Sequence, residues 1–218
     1  MRPQKPVKLA IYGAGGLGRE IAVLIRDINA SRKQYDVIGF FDDGKKQNTV
    51  IDGLKVLGGI NDINATKILL NLVIAIANPA IKKKLIGKIK NQKIKFPILI
   101  HPGCWPGDEK RNALGSGSIL GAGVILTTQI EIGDFVLVNL GTTIGHDVKI
   151  GSFSSIMPGA SISGRVKLGE QSLVGTGARI LQNIAIGAKS IVGAGAVVTK
   201  SFGDGSRLMG VPAVEVER

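Results

Sequence analysis

The sequence predicts a protein of two parts. Residues 1–102 are expected to form an α/β domain resembling half of a Rossmann fold, and residues 103–218 an all-β, left-handed parallel β-helix with a C-terminal tail. An aliphatic residue recurs at every sixth position in the second part, which predicts the β-helix. Strand and helix patterns alternate around a glycine-rich turn in the first part, which predicts a parallel sheet.

The hexad repeat is the strongest signal in the chain. Fourteen consecutive positions of this period are branched aliphatics, called anchors below: Leu120, Leu126, Ile132, Val138, Ile144, Ile150, Ile156, Ile162, Leu168, Val174, Ile180, Ile186, Val192 and Val198. Gly follows many anchors, and the fourth residue after each is mostly small or β-branched. This period fits a triangular coil with an inward aliphatic on each side and a glycine relieving crowding at each corner. Three hexads make a coil of 18 residues, and coils stack as parallel strands.

The front part reads as strand, glycine-rich turn and helix. An apolar strand over 7–12 is followed by Gly13-Ala14-Gly15-Gly16-Leu17-Gly18 and a helical pattern over 19–28. Such a turn lets a helix N-terminus approach a phosphate. This part is about half as long as a dinucleotide domain, so the sequence favours a single nucleotide or nucleotide sugar over NAD. A purely structural turn stays open.

The remaining front elements are predicted from shorter patterns. We expect strands over 36–41, 72–76 and 97–100, and a helix over 79–90. Asp42-Asp43 follows the first of these strands, where an acidic side chain can accept hydrogen bonds from a ribose or base. The lysines of the helix are interpreted as its solvated face, with Ile81, Leu85 and Ile89 on the other face.

Composition and charge exclude several functions. A net charge of +12 attracts polyanions such as nucleotides and coenzyme A, but no aromatic residues alternate with the lysines, so nucleic acid is not predicted. One cysteine excludes an internal disulfide, and two histidines with Cys104 are too few for a zinc site. A signal peptide and a membrane span are not predicted, which favours a cytoplasmic protein.

Several segments together resemble one enzyme family. The segments are 11–18, Phe41-Asp42-Asp43, 76–79, Ile100-His101-Pro102, 139–147 and 210–213. They resemble, in order and over nearly the whole chain, the sialic-acid O-acetyltransferase and bacillosamine-type nucleotide-amino-sugar N-acetyltransferase family of hexapeptide-repeat acyltransferases. The resemblance implies a homotrimer with active sites between subunits, acetyl-CoA as co-substrate, no metal, and a nucleotide-linked amino sugar as acceptor in bacterial surface-glycan biosynthesis.

The resemblance also implies a set of site residues. The nucleotide sugar is expected at Gly15, Gly16, Leu17, Asp42, Asp43 and Ala77, with Asn139 near the acceptor sugar. Acetyl-CoA is expected at Ser155, Gly164, Thr176 and Ala194. Ala77 stands where the family pattern has Gly, and Ser155 where it often has His. The last three residues are 12 and 18 apart, and we expect them to stack along one edge of the prism beside an extended pantetheine arm.

His146 is the candidate general base. It follows the anchor Ile144 by two positions, so the register turns it away from the interior. Acetyl transfer to an amine or hydroxyl needs a base, and an imidazole with a pKa near 6.5 suits neutral pH. By resemblance, Asp147 polarises this histidine, although the family member most closely compared has Glu there. Asp147 supporting only the corner stays an alternative.

Three other functions compete with N-acetylation. O-acetylation of sialic acid or a related sugar would use the same base. A hexapeptide-fold carbonic anhydrase needs three histidine ligands, whereas the repeat region holds one. A non-catalytic nucleotide-binding scaffold is the alternative from a different class. Cys104 is not expected to act as a nucleophile, and His101 is interpreted as a structural joint.

Overall fold

The structure is a computed structural model that describes residues 5–217. Backbone contacts divide these residues into two units. The front unit holds residues 5–77 and 81–97, and the β-helix unit holds residues 78–80 and 98–217. Within the described range, no helix is long and apolar enough to cross a membrane.

The front unit is a six-stranded sheet with three helices along the chain. Its elements are β1 (Val7–Tyr12), α1 (Gly16–Ser31), β2 (Tyr35–Phe41), β3 (Val50–Ile51), β4 (Leu54–Gly58), α2 (Ile60–Ala65), β5 (Leu70–Ile74), α3 (Pro79–Lys88) and β6 (Ile94–Lys95). The strand order is β3-β4-β2-β1-β5-β6, parallel except for the β3–β4 hairpin. The predicted α/β class is therefore confirmed, and β1 has the predicted bounds.

The structure differs from the sequence prediction at two places in or near the front unit. The strand expected over 97–100 is only β7 (Leu99–Ile100), and it pairs with a strand of the β-helix. In α3, Ile81 is 57% exposed whereas Lys82 is 2% exposed, which reverses the faces predicted for these two residues. Helical spacing relates residues to one another, but the direction of the core comes from packing.

The β-helix unit is built from two-residue strands arranged in three sheets. After β7 come β8 (Ala113–Leu114), β9 (Ile119–Leu120), β10 (Ile125–Leu126), β11 (Glu131–Ile132), β12 (Leu137–Val138), β13 (Thr143–Ile144), β14 (Lys149–Ile150), β15 (Ser155–Ile156), β16 (Ser161–Ile162), β17 (Lys167–Leu168), β18 (Leu173–Val174), β19 (Arg179–Ile180), β20 (Ala185–Ile186), β21 (Ile191–Val192), β22 (Val197–Val198), β23 (Arg207–Gly210) and β24 (Ala213–Glu215). Partner residues in neighbouring coils are 18 apart, as Ile125 and Thr143 are. The left-handed β-helix of hexapeptide repeats is confirmed.

The three sheets define three corners of the coil. Sheet 1 contains β10, β13, β16, β19 and β22, and sheet 2 contains β8, β11, β14, β17 and β20. Sheet 3 contains β7, β9, β12, β15, β18, β21, β23 and β24. The residues that follow each strand turn the chain toward the next sheet. We name the turn that follows the strands of sheet 1 corner 1, and the turn that follows those of sheet 3 corner 3.

The core of the β-helix consists of the predicted anchors. All fourteen are at most 4% exposed, and the fourth residue after each anchor from Val124 to Ala196 is also buried. Burying an aliphatic side chain of this size stabilises the fold by about 1.5–3 kcal/mol. The Gly that follows an anchor allows close stacking: a Cβ atom at Gly145 would lie 2.7 Å from the backbone nitrogen of Gly164 in the next coil. The left-handed backbone conformation falls two residues later in each hexad, as at Asp147 with φ 60°.

Candidate active site

The structure places His146 and Asp147 at corner 1, immediately after β13. The His146 side chain is 51% exposed and that of Asp147 40%, so both face outward as the register predicts. Nδ1 of His146 lies 2.7 Å from Oδ2 of Asp147. This distance is that of a charge-assisted hydrogen bond, which orients the ring and leaves Nε2 on its far side. The shorter Asp therefore reaches the histidine within its own hexad.

Gly164 lies directly against the imidazole of His146. It occupies the equivalent position one coil further on, after β16 of the same sheet. A Cβ atom added at Gly164 would lie 2.6 Å from Nε2 and 2.7 Å from Cε1 of His146, and such contacts are too short to exist. Ala occupies the same hexad position at 122, 188 and 194. The backbone at this position therefore accepts a side chain, and the ring of His146 is what requires Gly at 164.

Arg165 is a further neighbour of the pair that the sequence did not reveal. Its backbone N–H donates to the carbonyl oxygen of His146 at 2.8 Å. Its Nε lies 3.9 Å from Oδ2 of Asp147, and both side chains are partly exposed. An exposed pair at this distance stabilises little, but it keeps a positive charge beside the carboxylate. The signal in the sequence was the spacing of 18 between residues 147 and 165.

The remaining residues predicted for the β-helix are not at corner 1. Asn139 follows β12, Thr176 follows β18 and Ala194 follows β21, and all three strands belong to sheet 3. Thr176 and Ala194 are exposed, while Asn139 is 8% exposed and its Oδ1 accepts the backbone N–H of Leu140 at 2.8 Å. The expectation that Gly164, Thr176 and Ala194 share one edge is therefore wrong. A full coil takes 18 residues, so a separation of 12 leads to a different corner.

Ser155 is the least accessible of the predicted site residues. It stands one residue before the anchor Ile156 in β15, so the alternation of the strand directs it away from the coil interior. Its exposure is nevertheless 0%. In the described structure, Ser155 therefore offers no surface to a ligand, in contrast to Thr176 and Ala194.

The glycine-rich turn of the front unit divides its glycines between two tasks. Gly13 has φ +104°, and a Cβ atom there would lie 2.8 Å from the carbonyl oxygen of Ala75. Gly18 packs against the carbonyl oxygen of Gly13, so both are required by the fold. A Cβ atom at Gly15 or Gly16 would meet nothing within 4 Å. These two glycines, with the half-buried Leu17, border open space at the start of α1, where no described side chain caps the helix.

Two acidic residues at the end of β2 brace this turn. Asp42 accepts hydrogen bonds from the backbone N–H groups of Ala14 and Gly44, each at 2.8 Å. Asp43 accepts from the hydroxyl of Tyr12 at 2.7 Å and from the backbone N–H of Ile60 at 2.8 Å. Burial, reinforced by Asp43, raises the pKa of Tyr12 far above its ordinary value. Tyr12 is thus a positioning residue that the sequence alone did not single out.

The predicted acceptor residues of the front unit converge at one edge of its sheet. Strands β1, β2 and β5 are parallel, and Gly15, Asp42 and Ala77 follow their carboxyl ends. Ligands of open α/β sheets bind at this edge. A cleft of about 280 Å³ opens beside the two aspartates. It is lined by Asp42, Asp43, Lys45, Gln47, Gly58, Gly59, Ile60, Asn61 and Asp62.

Other reactive side chains contribute no second centre. Burial raises the pKa of the Cys104 thiol to about 11, which keeps it protonated at neutral pH. Nδ1 of His101 accepts the backbone N–H of Gly103 at 2.8 Å, so this ring caps a turn. Within residues 5–217, no group of three His, Cys, Asp or Glu side chains is close enough to hold a metal ion.

A histidine–carboxylate pair on the outer surface of a hexapeptide β-helix is the arrangement of a hexapeptide-repeat acyltransferase. Comparisons with known proteins agree. Residues 8–89 match the family described as the PglD N-terminal domain, and residues 165–200 match the hexapeptide repeat of succinyl-transferase. A search of curated proteins gave no match.

Solved structures extend the likeness over the whole chain. The acetyltransferase domain of PglB from Neisseria gonorrhoeae, in complex with acetyl coenzyme A, is 30% identical, with a TM-score of 0.87 over 97% of this chain and 100% of that one. WeeI from Acinetobacter baumannii is 31% identical, with a TM-score of 0.87 over 96% of this chain and 100% of that one. Perosamine N-acetyltransferase from Caulobacter crescentus, with CoA and GDP-perosamine, is 27% identical, with a TM-score of 0.85 over 97% of both chains.

These relatives are matched from end to end, so they identify the family and not only the fold. The chain belongs to the nucleotide-amino-sugar acetyltransferase family that joins a PglD-type N-terminal domain to a hexapeptide β-helix. It is a sugar acetyltransferase.

Proposed function

We propose that this enzyme transfers the acetyl group of acetyl-CoA to the amino group of a nucleotide-linked amino sugar for bacterial surface-glycan biosynthesis. The observation that carries the proposal is the pair of His146 and Asp147, 2.7 Å apart on the outer surface of the β-helix. The relatives support the choice of substrates, because their structures contain acetyl coenzyme A or CoA with GDP-perosamine. Two of the perosamine N-acetyltransferase structures are variants in which a histidine was replaced.

His146 acts as the general base in this mechanism. Asp147 accepts a hydrogen bond from Nδ1–H, so Nε2 carries the lone pair that takes a proton from the acceptor amine. The amine nitrogen then forms a bond with the thioester carbonyl carbon, and the carbon–sulfur bond breaks as the tetrahedral intermediate collapses. The imidazolium returns its proton to the departing thiolate, which leaves as CoA. His146 thus ends in its starting state.

The front unit is proposed to hold the nucleotide. Gly15 and Gly16 leave the N-terminus of α1 open, and backbone N–H groups at such an end attract phosphate. The carboxylates of Asp42 and Asp43 each retain lone pairs beyond their hydrogen bonds within the protein, so they can still accept from a ribose or base. Leu17 and Ala77 supply apolar contact at the same edge of the sheet.

The acetyl-CoA site is proposed to form between two copies of the chain. His146 and Gly164 lie at corner 1, whereas Asn139, Thr176 and Ala194 lie at corner 3. One triangular coil cannot bring two of its own corners together, but corner 1 of one copy can meet corner 3 of another. Closing this contact around a threefold axis gives a homotrimer with three sites. Because acetyl-CoA is the donor, we also propose that the enzyme acts in the cytoplasm.

A screen of acceptors tests the proposal. Acetyl transfer from acetyl-CoA is followed by mass spectrometry over a panel of nucleotide-linked amino sugars and free sialic acids. We expect a mass increase of one acetyl group on an amino sugar, and loss of that product when the amine is blocked beforehand. Products on sialic acid alone would indicate O-acetylation instead. Binding of nucleotide sugar without binding of acetyl-CoA would indicate a non-catalytic scaffold.

A further inference from the structure

The net positive charge is concentrated in one part of the molecule. Residues 1–97 contain eighteen Lys and Arg against seven Asp and Glu, which gives +11. Residues 98–218 contain ten against nine, which gives +1. Within the first group, residues 63–107 include eight lysines and no carboxylate at all. The proposed reaction needs no such excess.

The structure gathers five of these lysines at one edge of the front sheet. Strand β6 is the last strand of the sheet and pairs only with β5. We name as the basic edge the exposed residues around it, Lys67, Ile68, Leu69, Lys88, Lys90, Lys93 and Lys95. The nearest preceding carboxylate in the sequence, Asp62, is bonded to the backbone N–H of Gly59 at 2.8 Å.

Hydrogen bonds between the two segments fix the shape of the basic edge. Asn64 donates to the carbonyl oxygen of Lys88 at 3.0 Å and accepts from the backbone N–H of Lys90 at 2.8 Å. Asn91 donates to the carbonyl oxygen of Thr66 at 2.7 Å. Nζ of Lys93 donates to the carbonyl oxygen of Lys67 at 2.7 Å. The ammonium groups are therefore displayed on a preformed surface.

Two exposed aliphatic side chains lie among these charges. Ile68 is 44% exposed and Leu69 is 63% exposed, directly after Lys67. Cations beside aliphatic side chains match the boundary of an anionic lipid bilayer, which offers both phosphate groups and hydrocarbon. Nucleic acid offers phosphate, but it would leave the two aliphatic side chains without apolar contact. Lysines that only protect an edge strand from pairing would also leave them unexplained.

We propose that the basic edge docks this enzyme on membranes that contain anionic phospholipids. Lysine ammonium groups contact the lipid phosphates, and Ile68 and Leu69 enter the interfacial region. Each lysine near such a surface strengthens binding by about fivefold. The attraction weakens as salt rises, because the ammonium groups are exposed to solvent.

Vesicle sedimentation with the full chain tests this proposal. One set of vesicles contains phosphatidylglycerol and phosphatidylcholine in equal parts, and the other phosphatidylcholine alone. We expect binding to the first set at physiological salt and none to the second. Reversing two charges in the variant Lys90→Glu/Lys95→Glu should weaken binding at least about 25-fold, and Leu69→Ser about tenfold. Both variants should keep full acetyl transfer, which also reports correct folding.

The matched control is Lys167→Glu/Lys189→Glu, which changes the net charge equally but on exposed lysines of the β-helix unit. It should retain vesicle binding within about twofold, since those lysines lie outside the basic edge. Equal loss in both double variants would overturn the proposal, because only net charge would then matter. Binding to duplex DNA without binding to anionic vesicles would also overturn it.

Discussion

The front unit and the β-helix unit hold their functional residues in different ways. In the front unit, the residues of the glycine-rich turn are positioned by individual side-chain hydrogen bonds, such as those that Asp42 and Asp43 accept. In the β-helix, backbone stacking positions every corner, and His146 is oriented by its neighbours in the repeat, Asp147 and Gly164. One unit relies on particular contacts, and the other on a regular framework with a few departures.

This difference teaches where each unit tolerates change. The described part of the β-helix buries no charged side chain, whereas the front unit buries Lys82. In the β-helix, a substitution at a corner leaves the stacked backbone intact, so its effect should be confined to catalysis. In the front unit, a substitution of a buried group should change stability as well. The following predictions test that distinction, from the largest expected effect to the smallest.

The largest effect is expected from His146→Ala. Loss of the general base should lower kcat by about 10²–10⁴-fold, while acetyl-CoA affinity and thermal stability stay near wild type. Steady-state kinetics and calorimetry measure these quantities. His101→Ala is the matched control, because its ring caps a turn and is not at corner 1. Turnover near the wild-type rate in His146→Ala would refute the mechanism.

Gly164→Ala should lower kcat at least about tenfold, because the new Cβ atom must displace the ring that carries Nε2. The fold should accept the change, since Ala occupies the same hexad position at 194. With only two histidines in the chain, NMR can follow the ring of His146 directly. In a His146→Ala background, Gly164→Ala should have no effect on stability. A variant that keeps both the wild-type rate and the wild-type imidazole signals would contradict this role.

Asp147→Asn should lower kcat by less than the loss of His146, about tenfold, because the pair is partly exposed to solvent. Asn keeps the shape of the side chain and tolerates the left-handed backbone. Asn183 has this conformation two coils away, with φ 63°. The pH dependence of kcat should also shift, which a merely structural corner residue would not cause. An unchanged pH profile with an unchanged rate would leave Asp147 as a corner residue only.

Lys82→Met should change stability rather than catalysis. Burial lowers the pKa of Lys82 from 10.5 to about 7. Between these values the unfolded chain binds a proton that the folded chain does not, so the free energy of unfolding of the wild type should rise with pH, by roughly 1 kcal/mol per pH unit. Lys82→Met should remove this slope, measured by urea unfolding from neutral to alkaline pH. Lys84→Met, at an exposed position, should keep it.

The regular framework was the part most accessible from the sequence. A six-residue period of aliphatic anchors determines which side chains are inside, so the β-helix and the outward direction of His146 could be predicted. The period does not by itself show which corner a residue occupies, and Gly164 was grouped wrongly with Thr176 and Ala194 for that reason. The contacts of Tyr12 and the burial of Lys82 depend on tertiary packing between segments far apart in the chain, which local patterns do not encode.

A complementation measurement tests most directly the central claim, that corner 1 of one copy and corner 3 of another form one active site. His146→Ala and Ala194→Trp are each expected to be inactive, and they damage different corners. Mixed oligomers of the two, isolated by differently tagged chains, should regain acetyl transfer, because some interfaces then combine two intact corners. Mixed oligomers of His146→Ala and Gly164→Trp damage the same corner and should stay inactive. Failure of the first mixture to regain activity, despite verified mixed oligomers, would contradict the claim.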